Sequence, residues 1–263
     1  MIKNKKILIP FSTLLLVFSL AGITRNLLQD YHAQRQLKEL TRLLEITKTE
    51  SVIGGGVVAP LPSFQMAKEN ELIMLPEFQE LYERNPDIIG WLKIDGTRID
   101  YPVMQNSQDN EYYLSHDFDK KESKNGLPFL DTSCRINDSS IWLIHGHHMK
   151  SGLMFADLMK YKKESFYKEH ATFQFSTLYE KSEYEVVAVI LSKVYRKSEN
   201  AFKYYHNEKV GTAAEFDSYI QNIKKLALYD TGVAPQYGDQ LIVLSTCEYS
   251  TENGRLAVVA RKR

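Results

Sequence analysis

Beyond residue 84 the chain consists mostly of short apolar segments separated by turn residues, and this alternation limits the folds available to it. The segments are rich in Ile, Val, Tyr and Phe, which favour strands because branched and aromatic side chains pack well on a pleated surface. Segments of this kind cover residues 89–94, 98–104, 140–145, 172–175, 184–193, 240–245 and 256–261. Turn pairs such as Asp95-Gly96 and Asn253-Gly254 separate them. Many short strands with turns between them predict a β-barrel or a β-sandwich.

Two segments with helical spacing are added to this β pattern. Residues 213–228 place Phe216 and Ile223 on one face, and residues 71–83 repeat Leu and Phe at similar intervals. Apolar residues that recur every three or four positions indicate an amphipathic helix. We therefore predict a mainly β domain with added helices over residues 69–263.

The first residues of the chain have a different character. Residues 7–23 contain no charged side chain, and as a helix at about 1.5 Å per residue they would extend roughly 26 Å, just short of a ~30 Å hydrocarbon core. Three lysines precede the segment and Arg25 follows it, which favours a cytoplasmic amino terminus. We predict a cytoplasmic tail of residues 1–6, an uncleaved transmembrane signal anchor, and an extracellular remainder. A cleaved signal peptide and a buried core helix are the alternatives.

Residues 24–68 are predicted to connect this anchor to the exported domain. Leucines recur at helical spacing among charged residues over 30–46, which predicts an amphipathic stalk helix or a helix packed on the domain. A glycine triplet at 54–56 and a Pro-Leu-Pro sequence at 60–62 then interrupt regular structure. Residues 47–68 are therefore predicted to be a linker that lets the exported domain stand off the membrane surface.

The composition argues against several classes of function. The 33 Lys and Arg residues balance the 33 Asp and Glu residues of this 263-residue chain, so the formal net charge is zero. Nucleic-acid-binding proteins usually carry a basic excess. Cys134 and Cys247 are too few for a disulfide scaffold or a cysteine-rich zinc site, although a pairing of the two with each other stays open.

Cys247 stands at the end of an apolar segment that is predicted to be a strand. A single cysteine is often a small buried hydrophobic residue. At the end of a strand, however, a thiol can open onto a cleft, where its thiolate form is a nucleophile. Both interpretations remain open from the residues alone.

His145, His147 and His148 follow another apolar segment. Three closely spaced histidines suggest a metal site, but the nearest acidic residue downstream is Asp157, whereas such sites normally add a carboxylate close by. The alternative is that one imidazole pairs with the thiol and gives a proton to a leaving amine. The residues alone do not distinguish the three histidines.

Arg255 opens the last predicted strand, eight residues after Cys247. It fits an ordinary solvated arginine at a strand start. It also fits a group that stabilises an oxyanion, because a guanidinium offers fixed donors in a fork. A turn followed by an adjacent antiparallel strand would bring Arg255 back beside Cys247.

The order of these motifs resembles the sortase family. Residues 243–247, Val-Leu-Ser-Thr-Cys, followed by Arg255, are similar to the family signature Thr-Leu-x-Thr-Cys with an arginine on the next strand, and differ from it only at the first position. Further segments resemble the class B branch of the family: residues 90–92, 99–103, 113–114, 126–131, 146–150 and 154–155, and the helix before the cysteine strand. The resemblance covers about residues 70–263.

The resemblance implies a sortase-type barrel of eight strands with class B helices. It implies that Cys247 attacks the threonine carbonyl of a sorting signal near the carboxyl end of a surface or pilin protein and forms a thioester. An amine of a cell-wall precursor or of a pilin lysine then takes the acyl group. His147 is implied as the acid and base, Arg255 as the group holding the oxyanion or substrate carbonyl, and Thr246 as a residue lining the site. No metal or other cofactor is implied.

Two functions of other classes remain as alternatives. One is a membrane-anchored binding module without catalytic activity. The other is a metal-dependent hydrolase that uses His145, His147 and His148. Within the sortase interpretation, the residues do not distinguish cell-wall anchoring from pilin polymerisation.

Overall fold

The computed structural model describes residues 5–53, 73–136, 138–206 and 210–263, and in the first of these ranges it describes side chains for residues 16–46. The predicted linker from residue 54 onward, and the predicted domain start at residue 69, lie outside the described residues.

Eight strands form a closed barrel. In chain order they are β1 Ile88–Lys93, β2 Asp100–Met104, β3 Phe129–Leu130, β4 Ile141–His145, β5 Thr172–Thr177, β6 Lys181–Lys193, β7 Leu241–Cys247 and β8 Gly254–Lys262. Around the barrel the order is β1-β2-β3-β4-β7-β8-β6-β5, and β5 pairs with β1 to close it. The pairs β2–β3 and β4–β7 are parallel, and the others are antiparallel. The prediction of a mainly β, eight-stranded barrel is confirmed.

Strands β4 and β7 are buried on both faces. All residues of β7 from Leu241 to Thr246 are buried, as are those of β4 from Ile141 to Ile144. Such strands read as continuous apolar runs rather than as alternating ones, because both faces are covered. β5 does alternate between buried and more exposed residues. The two-residue strand β3 is too short to produce either pattern, and it was not among the segments predicted from composition.

The first helix, α1 Lys5–Ile53, spans the predicted anchor and the predicted stalk helix and continues into the predicted linker. Across the described parts of the chain, we find no helix with both the length and the hydropathy needed to cross a bilayer. The middle of α1 packs on the barrel domain, where Leu37 and Leu40 are buried. Lys124 pairs with Asp30 at 3.2 Å on the same side of the domain.

Among the described residues there are three shorter α-helices, α2 Pro76–Arg84, α3 Glu164–Glu169 and α4 Ala213–Lys225, and two 3-10 helices, Tyr112–Leu114 and Phe155–Lys162. α2 starts later than the predicted helix over residues 71–83, because proline has no N–H to donate and is suited to the first turn of a helix. α4 begins at a capping box, in which Thr212 accepts from the Glu215 N–H and the Glu215 carboxylate accepts from the Thr212 N–H.

We expect α4 to stabilise the domain through its buried face. Ile223→Ala removes a fully buried side chain, so it should lower the free energy of unfolding by about 2–5 kcal/mol. Gln221→Ala, on the exposed face, is the matched control and should change it by about 0.5 kcal/mol or less. Urea unfolding measures both. Equal effects would contradict this docking face.

Candidate active site

The parallel pairing of β4 with β7 brings the ends of both strands to one place on the barrel. The register sets His145 opposite Ser245, and the segments that follow the two strands continue in the same direction beyond this pair. His147 and Cys247, each two residues further along, both line a cavity of about 530 Å³. Two segments that are a hundred residues apart in the sequence therefore contribute to one site.

Arg255 enters the same cavity from the neighbouring strand. In the antiparallel β7–β8 hairpin Arg255 lies directly opposite Cys247. Opposed residues in an antiparallel pair project from the same face of the sheet, so the guanidinium and the thiol share the cavity wall. The Nη1 group of Arg255 donates to the Gly254 carbonyl at 2.9 Å, which leaves other guanidinium donors for a ligand.

A main-chain carbonyl holds the imidazole of His147. Its Nε2 lies 2.8 Å from the carbonyl oxygen of Leu114. Because a carbonyl oxygen only accepts, Nε2 carries the hydrogen in this contact. Nδ1 is then the ring nitrogen that is available to exchange a proton.

The three neighbouring histidines have different surroundings. His145 also lines the cavity, with its Nε2 3.0 Å from Asp131 Oδ2. His148 is placed differently: its Nδ1 lies 3.1 Å from the Cys247 carbonyl oxygen and its ring stacks on Tyr249. Among the described residues, no group of three or more His, Cys, Asp or Glu side chains could hold a metal ion.

Thr246 does not line the cavity. Adjacent strand residues point to opposite faces, so Thr246 faces away from the wall that Ser245 and Cys247 form. Its buried hydroxyl donates to the Gly146 carbonyl at 2.8 Å. This hydrogen bond joins β7 to the segment that carries His147. The structure therefore gives Thr246 a positioning contact instead of the predicted place in the substrate site.

Tyr204 and Ser245 line the cavity although the sequence did not single them out. Their hydroxyl oxygens are 2.7 Å apart and buried. Burial raises the pKa of Tyr204 to about 12, so the phenol stays protonated at neutral pH. The Tyr219 hydroxyl of α4 donates to the Tyr204 carbonyl at 2.9 Å and fixes this loop. A single tyrosine in a loop has no periodic pattern, so composition and spacing gave no signal for it.

Asp131 also lines the cavity. Burial acts to raise its pKa, but hydrogen bonds from His145, Ser133 and Asn110 outweigh burial and hold the pKa well below its ordinary value. Asp131 is therefore a carboxylate at neutral pH, and the Asn110 amide donates to it at 3.0 Å.

Glu248 follows Cys247 directly and stabilises the turn between β7 and β8. The Lys162 ammonium donates to it at 2.6 Å, and the Ser250 main-chain N–H at 3.0 Å. Hydrogen bonds from Lys162, which contributes most, and from the hydroxyl and main-chain N–H of Ser250 lower the pKa of Glu248 to about 2. The turn that carries Arg255 back to Cys247 thus holds a charged carboxylate throughout the physiological range.

Cys134 and Cys247 are both free thiols, so the alternative in which they form a disulfide with each other is wrong. Cys134 is fully buried, and its sulfur accepts from the Leu143 N–H at 3.4 Å. Cys247 is only partly buried and lines the cavity. Of the two thiols, Cys247 is therefore the one placed to meet a substrate.

Comparison with known proteins agrees with this geometry. The family described as "Sortase domain" matches residues 92–263. Sortase B of Listeria monocytogenes is 36% identical over 187 residues, which cover 69% of this chain and 72% of the relative. Sortase B of Staphylococcus aureus is 30% identical over 199 residues, covering 74% and 78%. The chain belongs to the sortase family.

Solved sortase B structures have the same architecture. A Staphylococcus aureus sortase B–substrate complex superposes with a TM-score of 0.72 at 25% identity and covers 90% of this chain and 98% of its own. A Bacillus anthracis sortase B gives 0.69 at 27% identity, covering 89% and 98%. The chain thus belongs to the class B branch of the family, whose members are cysteine transpeptidases.

We expect Thr246→Val to lower kcat by roughly five- to tenfold with little change in KM. The substitution keeps the side-chain shape but removes a hydrogen bond worth about 1 kcal/mol, which loosens the segment that carries His147. Thr246→Ser, which keeps the hydroxyl, is the control and should retain most of kcat. Steady-state cleavage kinetics measure both. A rise in KM at unchanged kcat would favour a substrate-binding role instead.

Proposed function

We propose that the protein cleaves a sorting signal near the carboxyl end of a surface protein after a threonine, and transfers the threonine carbonyl to an amine. The observation that carries the proposal is the convergence of Cys247, His147 and Arg255 on one cavity. A thiol, an imidazole and a guanidinium supply the nucleophile, the proton carrier and the oxyanion donor that acyl transfer needs.

The first half of the reaction forms a thioester. The Cys247 thiol gives its proton to Nδ1 of His147, and the resulting thiolate attacks the threonine carbonyl carbon. A C–S bond forms, and the carbonyl oxygen becomes an oxyanion. Arg255, opposite Cys247 in the hairpin, donates hydrogen bonds to that oxygen and compensates its charge. The intermediate collapses as the C–N bond breaks, and His147 gives its Nδ1 proton to the leaving amine.

The second half reverses these roles. An acceptor amine attacks the thioester carbon and passes a proton to Nδ1 of His147. The C–S bond then breaks, the new amide is released, and the electron pair returns to the Cys247 sulfur as thiolate. The two halves balance because the imidazole gives one proton and later regains one.

We place the enzyme in the cell membrane with its amino terminus in the cytoplasm and its catalytic domain outside. The charge-free segment 7–23 and the lysines before it support this orientation. The side chains of Leu16, Val17 and Phe18 are exposed in the structure, as expected of residues that contact lipid in a membrane.

For the acceptor we propose an amine of the cell-wall precursor, since the sortase B relatives point to cell-wall anchoring. A pilin lysine is the competing acceptor. Both present a primary amine, so the acyl-enzyme step is common to them. A binding module without activity and a metal-dependent hydrolase differ from both, because neither forms a thioester on Cys247.

Intact mass spectrometry of the full-length protein, incubated with threonine-containing sorting-signal peptides, should detect an acyl adduct on Cys247. The adduct should form in the presence of a chelator and disappear after thiol alkylation or in Cys247→Ala. Loss of activity with the chelator would support the metal-dependent hydrolase. Absence of adduct and of cleavage across the peptide panel would contradict the proposed enzyme activity.

Arg255→Lys should lower kcat by about 10²–10³-fold, because an ammonium does not reproduce the fixed donor fork at the oxyanion. Arg261→Lys is the matched control on the same strand. Arg261 pairs with Glu185 at 3.1 Å and is not among the cavity residues, so its substitution should leave kcat unchanged. Peptide cleavage under saturating substrate measures both variants. Similar losses in the two would rule out a specific role for Arg255.

A further inference from the structure

The group that orients His147 is part of the main chain. Many nucleophilic enzymes hold the catalytic histidine with a carboxylate, which is often the third member of a triad. Among the described residues, the hydrogen bond that His147 makes goes to the Leu114 carbonyl instead. What fixes that carbonyl therefore decides where the imidazole points.

Tyr113 anchors the short 3-10 helix Tyr112–Leu114 from one side. Its side chain is buried, and its hydroxyl donates to Asp87 at 2.8 Å and accepts from the Asn85 amide at 2.9 Å. Burial raises the pKa of Tyr113, so the phenol keeps its proton. This neighbour of Leu114 is thereby tied to the residues that precede β1.

Gly126 lies close against the same 3-10 helix from the other side. Its φ of +54° lies in the left-handed region, and its backbone approaches the 3-10 helix very closely. An added Cβ would lie 2.3 Å from the Tyr113 oxygen and 2.6 Å from the Leu114 oxygen. The following Leu127 N–H donates to the Tyr113 carbonyl at 2.9 Å. Only glycine allows this approach without moving the Leu114 carbonyl.

We infer that the Leu114 carbonyl is the orienting partner of the His147 imidazole, and that Gly126 and Tyr113 are positioning residues that act on the imidazole through it. The inference deepens the proposed function and rests on it, because that function gives the imidazole its role. Its physical content is the tautomer: neutral His147 carries hydrogen on Nε2 and leaves Nδ1 free.

A carbonyl partner differs chemically from a carboxylate. It fixes the tautomer and the ring plane as a carboxylate does, but it adds no negative charge that would hold a proton on the ring. His147 must release a proton to the leaving amine and accept one from the acceptor amine. A neutral orienting group suits an imidazole that changes protonation state in both halves of the reaction.

The first test measures the tautomer directly. Nitrogen NMR of the full-length Cys247→Ala protein labelled at its seven histidines should show neutral His147 protonated at Nε2, with the signal assigned by its loss in His147→Gln. The Cys247→Ala change removes the thiolate that could otherwise hold a second proton on the ring. Hydrogen on Nδ1 would overturn the inference.

The second test moves the carbonyl. Gly126→Ala should lower kcat by about 10–100-fold at nearly unchanged KM and give His147 a mixture of tautomers. Gly232→Ala is the matched control, because Gly232 also has a positive φ of 73° but no atom lies within 4 Å of its added Cβ. It should cost stability without changing kcat or the tautomer. Unchanged kcat and tautomer in Gly126→Ala would overturn the inference.

Tyr113→Phe covers the case in which Gly126→Ala does not fold. It removes the hydrogen bonds to Asp87 and Asn85 while keeping the ring, and it should also lower kcat and mix the tautomers of His147. If Tyr113→Phe keeps the wild-type kcat and the single Nε2–H tautomer of His147, the positioning role of Tyr113 is contradicted. If the wild-type protein shows the Nε2–H tautomer but cleaves no peptide, the proposed function is contradicted, whereas the inferred orientation of His147 is not.

Discussion

The parallel pairing of β4 with β7 is the interaction on which the site depends. It joins segments distant in sequence and brings their ends to the same level on the barrel, with His145 opposite Ser245. From this register both strands lead into the cavity that His147 and Cys247 line. The hydrogen bond from Thr246 to Gly146 extends the pairing past the last strand residues. A slip of one residue would turn the thiol to the opposite face and the threonine into the cavity.

Much of the barrel could be predicted from the sequence, because its strands are compact apolar runs closed by turn residues. The two-residue strand β3 could not, since it has neither length nor periodicity. Among the site residues, Cys247 and Arg255 belong to one hairpin, so their spacing indicates their proximity. The hydrogen bond from His147 to the Leu114 carbonyl depends on the path of a loop. Because every residue type has a main-chain carbonyl, the sequence gives no signal for such a partner.

Thr246 marks the limit of reasoning from a motif. A residue beside the nucleophile was expected to line the substrate site, whereas the alternation of a strand sends it to the opposite face. Its work is still connected to catalysis, because it ties the cysteine strand to the histidine segment. Ser245 and Tyr204, which carried no motif-based expectation, are the ones that form the wall.

The packing of α1 on the barrel also fixes how far the first half of this helix extends from the domain. Leu37 and Leu40 contact the core before the Gly- and Pro-rich segment is reached, so a flexible tether does not separate the first half of this helix from the domain. From Arg25 to Leu40 the helix rises roughly 22 Å at about 1.5 Å per residue. The rigid helix therefore determines both the distance and the rotation of Arg25 relative to the barrel. One residue inserted between these positions would move Arg25 about 1.5 Å further from the barrel along the helix and rotate it by about 100° around the helix axis.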